Sequence, residues 1–159
     1  MFDHVQYYTP DRIDCIKKSQ DYQDLLLVAM DILEDINDDY APRPIAMVCG
    51  PISTGGTGSR RQNLYIFSKV IERVTTDGLI VFNQMPFEND IDRIYNLNTD
   101  LPRIKLLEEF YGPIFRSGFI SLLLFIPGWA GSVGAKWENE QAKILGIPRL
   151  YLAQSYMLD

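Results

Sequence analysis

Three observations in this 159-residue chain predict an α/β fold. Short apolar runs at residues 45–50, 79–82, 119–126 and 149–153 alternate with segments of helical periodicity. The runs lack the apolar/polar alternation of a half-exposed strand, so they read as strands covered on both faces, as in a parallel sheet. A loop rich in Gly, Ser and Thr follows the first run and a Gly-containing turn follows the third, where ligands bind in such sheets. With right-handed crossovers these features predict a Rossmann-like, flavodoxin-like three-layer sandwich with a small parallel sheet, preceded by an N-terminal helical extension.

The elements follow in order. Thr9 can cap a helix and Pro10 suits its first position. Leu25, Leu26, Val28, Ala29, Ile32, Leu33 and Ile36 recur at helical spacing, with Asp31, Glu34, Asp35 and Asp38 largely on the other side. Residues 10–38 are therefore one or two amphipathic helices, either packed on a core or used as a subunit contact. The Ala41-Pro42-Arg43-Pro44 break separates an acidic extension, residues 1–40, from a body of residues 41–159. In the body, residues 45–50 form the first strand and residues 61–77 a helix, with Leu64, Phe67, Val70, Ile71 and Val74 in phase. Asp77-Gly78 stops it, and residues 79–82 form the second strand. Residues 84–103 are Asn/Asp-rich and irregular, with a short helix around residues 90–95. Residues 104–117 form a helix that Gly112-Pro113 breaks or kinks. Residues 119–126 are the third strand, and a helix from Ser132 to Leu145 ends at Gly146. Residues 149–153 are the last strand.

Composition narrows the function. At 47% apolar and 23% charged the chain can bury an ordinary core. Residues 1–40 hold ten acids against three bases, leaving 11 acids and 12 bases in the body. The net charge of −6 thus argues against a nucleic-acid polymer as partner, but says little about a small anion at the body. No run is long enough to span a membrane. The N-terminus lacks the pattern of a signal peptide. Cys15 and Cys49 in unlike settings suggest reduced thiols and a cytoplasmic protein. His4 is the only histidine, which argues against a histidine triad or a histidine-based metal site. Neither a metal nor a cofactor is expected.

The last long helix carries an anomaly. At about 100° per residue, Gly134, Ala135, Gln141, Ala142 and Leu145 fall within about 60° of Glu138. Val133, Trp137 and Ile144 extend that arc. Lys136, Glu140 and Lys143 cluster opposite, so Glu140 is an ordinary solvated glutamate. Glu138 lies on the stripe that faces the sheet, where an unpaired carboxylate is costly. It is either a structural carboxylate satisfied by a donor or a functional one. Ser132, at the helix start, lies where free amides and the dipole favour an anion. The loop of residues 50–61 (GPISTGGTGSRR) combines glycines, four hydroxyls, Arg60 and Arg61. It can bind a phosphate through amides, hydroxyls and charge, although it has neither a Walker ending nor a GxGxxG pattern.

Together these segments resemble the nucleoside 2-deoxyribosyltransferase superfamily over residues 45–153. The features are Cys49-Gly50-Pro51-Ile52, Asn63 followed by Phe67, and residues 127–138 (PGWAGSVGAKWE), completed by Ala142, Gly146 and Pro148. The resemblance implies that Glu138 is a nucleophile attacking the anomeric carbon, with transfer of the glycosyl group to water or another base. Ser132 stands where transferases of free nucleosides carry an aspartate, and is similar to the branch that hydrolyses nucleoside 5′-monophosphates. A serine can donate to a phosphate that an aspartate would repel. The resemblance implies substrate contacts at Gly50, Ser53, Thr54, Gly55, Gly56, Arg60, Asn63, Trp129, Ser132 and Gly134, and a homo-oligomer. Phe87 is a second aromatic that could stack on the ligand. Met47 replaces the family's first-strand tyrosine, and Ser121 or a neighbour stands in for an aspartate near the third strand. Glu108 and Glu109 are the candidates for an acid that assists the leaving base, with Asp90 and Asp92 behind them. Two other readings remain open: a non-catalytic nucleotide-binding module of the same fold, and an interaction protein working through its acidic extension.

Overall fold

A computed structural model describes residues 2–98 and 100–157. Its elements are α1 (Pro10–Lys18), α2 (Tyr22–Tyr40), β1 (Ile45–Cys49), α3 (Arg60–Thr76), β2 (Ile80–Val81), α4 (Glu88–Leu97), α5 (Ile104–Leu106), α6 (Gly112–Arg116), β3 (Ile120–Phe125), α7 (Val133–Leu145) and β4 (Arg149–Tyr151). They divide into two compact units. One contains Pro44–Asn83 and the chain from Ile120 on; the other contains Asp3–Arg43 and Gln84–Phe119.

The first unit holds a four-stranded, all-parallel sheet in the order β2-β1-β3-β4. Every residue of β1 is buried, as a central strand covered on both faces requires. From β1 the chain crosses to β2 on one side, and from β3 to β4 on the other. Right-handed crossovers then put α3 and α7 on opposite faces, which makes three layers. The reversal point lies between β1 and β3, and in open parallel sheets the crevice beyond the carboxyl ends at such a point is where ligands generally bind. The fold class expected from the sequence is the one observed.

Local chemistry sets the ends of these elements. Ser59 accepts from the Gln62 N–H to cap α3, whose Phe67, Val70, Ile71 and Val74 are buried. Ser132 accepts from the Ala135 N–H to cap α7, and Gly146 ends it at φ 71°. The buried stripe of α7 is Ala135, Glu138, Asn139 and Ala142. The expected extension through Val133 and Ile144 is corrected: both are exposed, at 61% and 74%. Asn139 takes that place because its Oδ1 accepts from Arg149 Nη1 and Tyr151 Oη on β4. Ser121 is also displaced from its expected role. It is the extra residue where the β1–β3 register shifts, beside Ile45, and it is exposed at the amino end of the sheet.

The second unit is helical. Thr9 and Pro10 open α1 as expected. Asp21 caps α2, so residues 10–38 form two helices. Helix α2 buries Leu25, Val28, Ala29, Ile32, Leu33 and Ile36, while Asp35 on its outer side pairs with Arg12 at 2.5 Å. The acidic helices share this unit with residues 84–119, and so do not form a compact unit alone. Between α5 and α6 the chain makes a π-helical turn, Leu107–Tyr111. Pro113 has no N–H to continue an α-helical ladder, and the Gly112 N–H reaches back to the Leu107 carbonyl instead. Among the described residues no helix is long and apolar enough to cross a membrane.

Candidate functional site

Glu138 is 7% exposed and acts on the thiol of Cys49, the last residue of β1. Burial first, then the charge and the hydrogen bond of Glu138, push the Cys49 thiol well above its ordinary value. Cys49 therefore stays protonated at neutral pH. Two residues along the same helix, Glu140 is exposed and pairs with Lys143 at 3.0 Å. Helical angle alone sets these two glutamates on different faces of α7, and the structure does the same.

The loop after β1 is built around Asn63. Its Nδ2 donates to the Ile52 and Gly55 carbonyls at 2.9 and 3.2 Å, and its Oδ1 accepts from the Thr57 N–H and hydroxyl at 3.0 and 2.9 Å. Asn63 is thus the organiser of the loop. Gly55, at φ 72°, lies against the Gly131 carbonyl, which a side chain would strike. Thr54 Oγ1 accepts from the Val133 N–H at 2.9 Å, and Ser132 Oγ from the Ala135 N–H at 3.2 Å. The loop is therefore seated on the first turn of the helix that carries Glu138.

The other expected residues fall as follows. Gly50 is buried, and a side chain there would meet Ile126. Gly56 lies against Asn63 Oδ1. Ser53 is exposed, and Arg60 is half-buried at the start of α3. Gly134 is half-buried one turn before Glu138. Trp129 stacks on Tyr151 at 5.4 Å and leans on Phe125 at 5.2 Å, which makes it part of an aromatic cluster at the edge of the sheet. Met47 is fully buried in β1.

Glu108, Glu109, Asp90, Asp92 and Phe87 all belong to the other unit. Glu108 is exposed beside Lys105, Asp90 holds Arg93 at 2.9 Å, and Asp92 accepts from Asn96 at 3.4 Å. Phe87 packs against Tyr8 and Phe110.

A cleft of about 300 Å³ opens beside the loop. Its walls include Thr57 and Asn63, Ile126 and Gly128 after β3, and Gln154 and Met157. No charged side chain lines it, and Glu138 is not in its wall. Among the described residues no group of three or more His, Cys, Asp or Glu could hold a metal ion.

Sequence reasoning missed Cys49 as the partner of Glu138. The available signal was its place at the carboxyl end of a buried strand, one residue before Gly50-Pro51. Comparison with protein-family models, with curated proteins and with solved structures gives no match, so the functional reading of this chain rests on the geometry of its own site and on the motifs quoted above.

Proposed function

We propose that the chain binds a nucleoside or deoxynucleoside 5′-monophosphate at the carboxyl end of its sheet and cleaves the N-glycosidic bond with Glu138 as nucleophile. One observation carries this reading. A buried carboxylate on the inner face of α7 lies beside the end of β1, and a Gly/Ser/Thr loop is seated on the start of the same helix. In the reaction, a Glu138 oxygen forms a bond to C1′ while the C1′–N bond breaks and its electron pair leaves with the base, which takes a proton from solvent. Water then attacks C1′, the bond from C1′ to Glu138 breaks to restore the carboxylate, and the water's proton passes to solvent as the sugar phosphate leaves; a second base in place of water gives transfer. The phosphate would be taken by the loop 53–60 and Ser132, with Arg60 supplying charge. The resemblance that motivates this chemistry also implies a homo-oligomer, which sedimentation would read.

The test is incubation with a panel of ribo- and deoxyribonucleoside 5′-monophosphates, scored for free base. Release by the wild type that is lost in Glu138→Ala supports the proposal. No release across the panel, or an undiminished rate in Glu138→Ala, overturns it. A second reading, a nucleotide-binding module without turnover, is favoured by the engagement of Glu138 with the Cys49 thiol and by the inert Met47 in β1. Calorimetric binding of a nucleotide without base release would select it.

A further inference from the structure

The cleft beside the loop takes no part in the reaction just described. It opens past the carboxyl ends of the two central strands, with Thr57 from the segment after β1 and Ile126 directly after β3. Ile66 of α3 lines it, as do Gln154 and Met157 of the 3₁₀ turn Gln154–Met157. Its volume of about 300 Å³ is at the lower end for small-molecule pockets, so one or two rings would fill it. The wall is firm. The Ile126 N–H donates to the Cys49 carbonyl at 2.9 Å, and the Ile126 carbonyl accepts from the Trp129 N–H at 3.1 Å. The 3₁₀ turn is tied to the last turn and cap of α3 at two points: Arg73 Nη1 donates to the Ser155 carbonyl, and Tyr156 Oη to Asp77 Oδ2, both at 2.8 Å. A pocket so supported is formed before a ligand arrives.

The chemistry of the wall is narrower than its residue types suggest. Asn63 uses both N–H groups and accepts twice at Oδ1, all within the loop. The Thr57 hydroxyl donates to Asn63 Oδ1 and accepts from the Ser59 N–H at 3.1 Å. Both side chains are thus committed to the loop. Among the described residues no charged side chain lines the cleft, so a phosphate or carboxylate there would lack a counter-charge. Gln154 is different. It is exposed, and its Nε2 meets Met157 Sδ at 3.6 Å; a thioether is a weak acceptor that a ligand oxygen would replace. Its amide offers a donor and an acceptor side by side. We propose that this cleft is a binding site for a small neutral ring bearing an amide or lactam group, apart from the seat of the phosphate. The ring packs on Ile66, Ile126 and the adaptable Met157, and its carbonyl and N–H pair with the Gln154 amide. The site does not depend on Glu138 being a nucleophile.

The experiment titrates the full chain with benzamide, and with benzoate as its charged counterpart of the same shape. The Met157 methyl resonance and the Thr57 and Gly128 amides are followed by NMR. Benzamide is expected to shift them saturably below about 20 mM, and benzoate to bind at least tenfold more weakly. Ile66→Trp fills the cleft and is expected to abolish the shifts. Gln154→Ala, at an exposed position where folding is safe, is expected to weaken benzamide about threefold to tenfold. No saturable shift at Met157, equal binding of benzamide and benzoate, or unchanged affinity in Gln154→Ala overturns the proposal. Displacement of benzamide by a deoxynucleoside 5′-monophosphate makes the cleft part of the nucleotide site and overturns it as well. Base release reads the nucleophile and the Met157 methyl reads this site, so the failure of one is distinguishable from the failure of the other.

Discussion

Among the described residues each compact unit buries one glutamate, and the two are served differently. In the helical unit Glu88, 5% exposed, accepts from Tyr111 Oη at 3.3 Å at the start of α4. Its neighbours are rings: Phe87 packs on Phe110 at 5.4 Å, and Phe110 meets Tyr111 edge-on at 5.0 Å. In the sheet unit Glu138, 7% exposed, acts electrostatically on a thiol at the end of a central strand. A glycine-rich loop and the first turn of its own helix lie nearby. Burial of a carboxylate is common to both and decides nothing by itself. What differs is the surroundings: Glu88 bonds to a member of an aromatic cluster, and backbone loops beyond strand ends lie near Glu138. The first is the setting of a structural hydrogen bond, and the second is where the proposed ligand site would lie.

Exchanging the two carboxylates for neutral groups should separate these roles most sharply. Glu138→Gln keeps size and one acceptor, and is expected to lower base release on the order of a thousandfold with little change in melting temperature. Glu88→Ala removes a buried acceptor and is expected to cost roughly 1–3 kcal/mol in denaturant unfolding. A Glu138→Gln protein that keeps its rate would erase the distinction.

The ligand side of the comparison is probed by Ser132→Asp. Aspartate is as good a helix cap as serine, so folding should hold, while a new negative charge faces the proposed phosphate. Affinity for a 5′-monophosphate is expected to fall about tenfold to a hundredfold, and affinity for the corresponding free nucleoside to hold or rise. Equal losses for both ligands would move the phosphate elsewhere.

Alkaline pH distinguishes the units through different groups. Burial raises Tyr7, Tyr8 and Tyr22 in the helical unit above their ordinary 10.0, Tyr7 with further help from Asp39. Burial and Glu138 raise Cys49 in the sheet unit above its ordinary 9.0. In each case the folded protein keeps a proton that the unfolded chain gives up. The stability contributed is therefore whole below the ordinary value and declines as pH rises past it. Loss of stability is expected to begin near pH 9 from the thiol and to steepen above pH 10 from the tyrosines. Cys49→Ala should remove the first phase and leave the second, as read by chemical denaturation at successive pH values.

The smallest effect concerns the seat of the loop. Gly55→Ala puts a methyl group against the Gly131 carbonyl at a positive φ, and is expected to cost about 1–2 kcal/mol. Gly58→Ala has a similar φ of 80° but open space around it, and should cost less. Equal costs would mean that φ alone, and not the contact with the turn before α7, sets the price.

Much of this arrangement was legible in the sequence. The apolar runs of β1 and β3 stand out because a strand buried on both faces carries no polar alternation. The separation of Glu138 from Glu140 follows from helical angle alone. What stayed hidden depends on contacts across the chain. The contact of Cys49 with Glu138 needs the strand end and the helix to be set against each other, 89 positions apart, and no local pattern encodes that. Asn63 reads as a ligand contact in the motif, but its four hydrogen bonds go to the loop backbone and Thr57. Ser121 reads as a possible neighbour of the site until the register shift places it at the opposite end of the sheet. The inner stripe of α7 turns toward Asn139 because β4 supplies donors for it, which the periodicity of α7 cannot announce.

The most direct test of the central claim is a crystal structure of Glu138→Gln with a deoxynucleoside 5′-monophosphate bound. The account predicts the phosphate at loop 53–60 and Ser132, with C1′ within about 3–3.5 Å of the residue 138 side chain. A nucleotide seated wholly in the uncharged cleft beside Thr57 and Ile126, with C1′ far from residue 138, would contradict it.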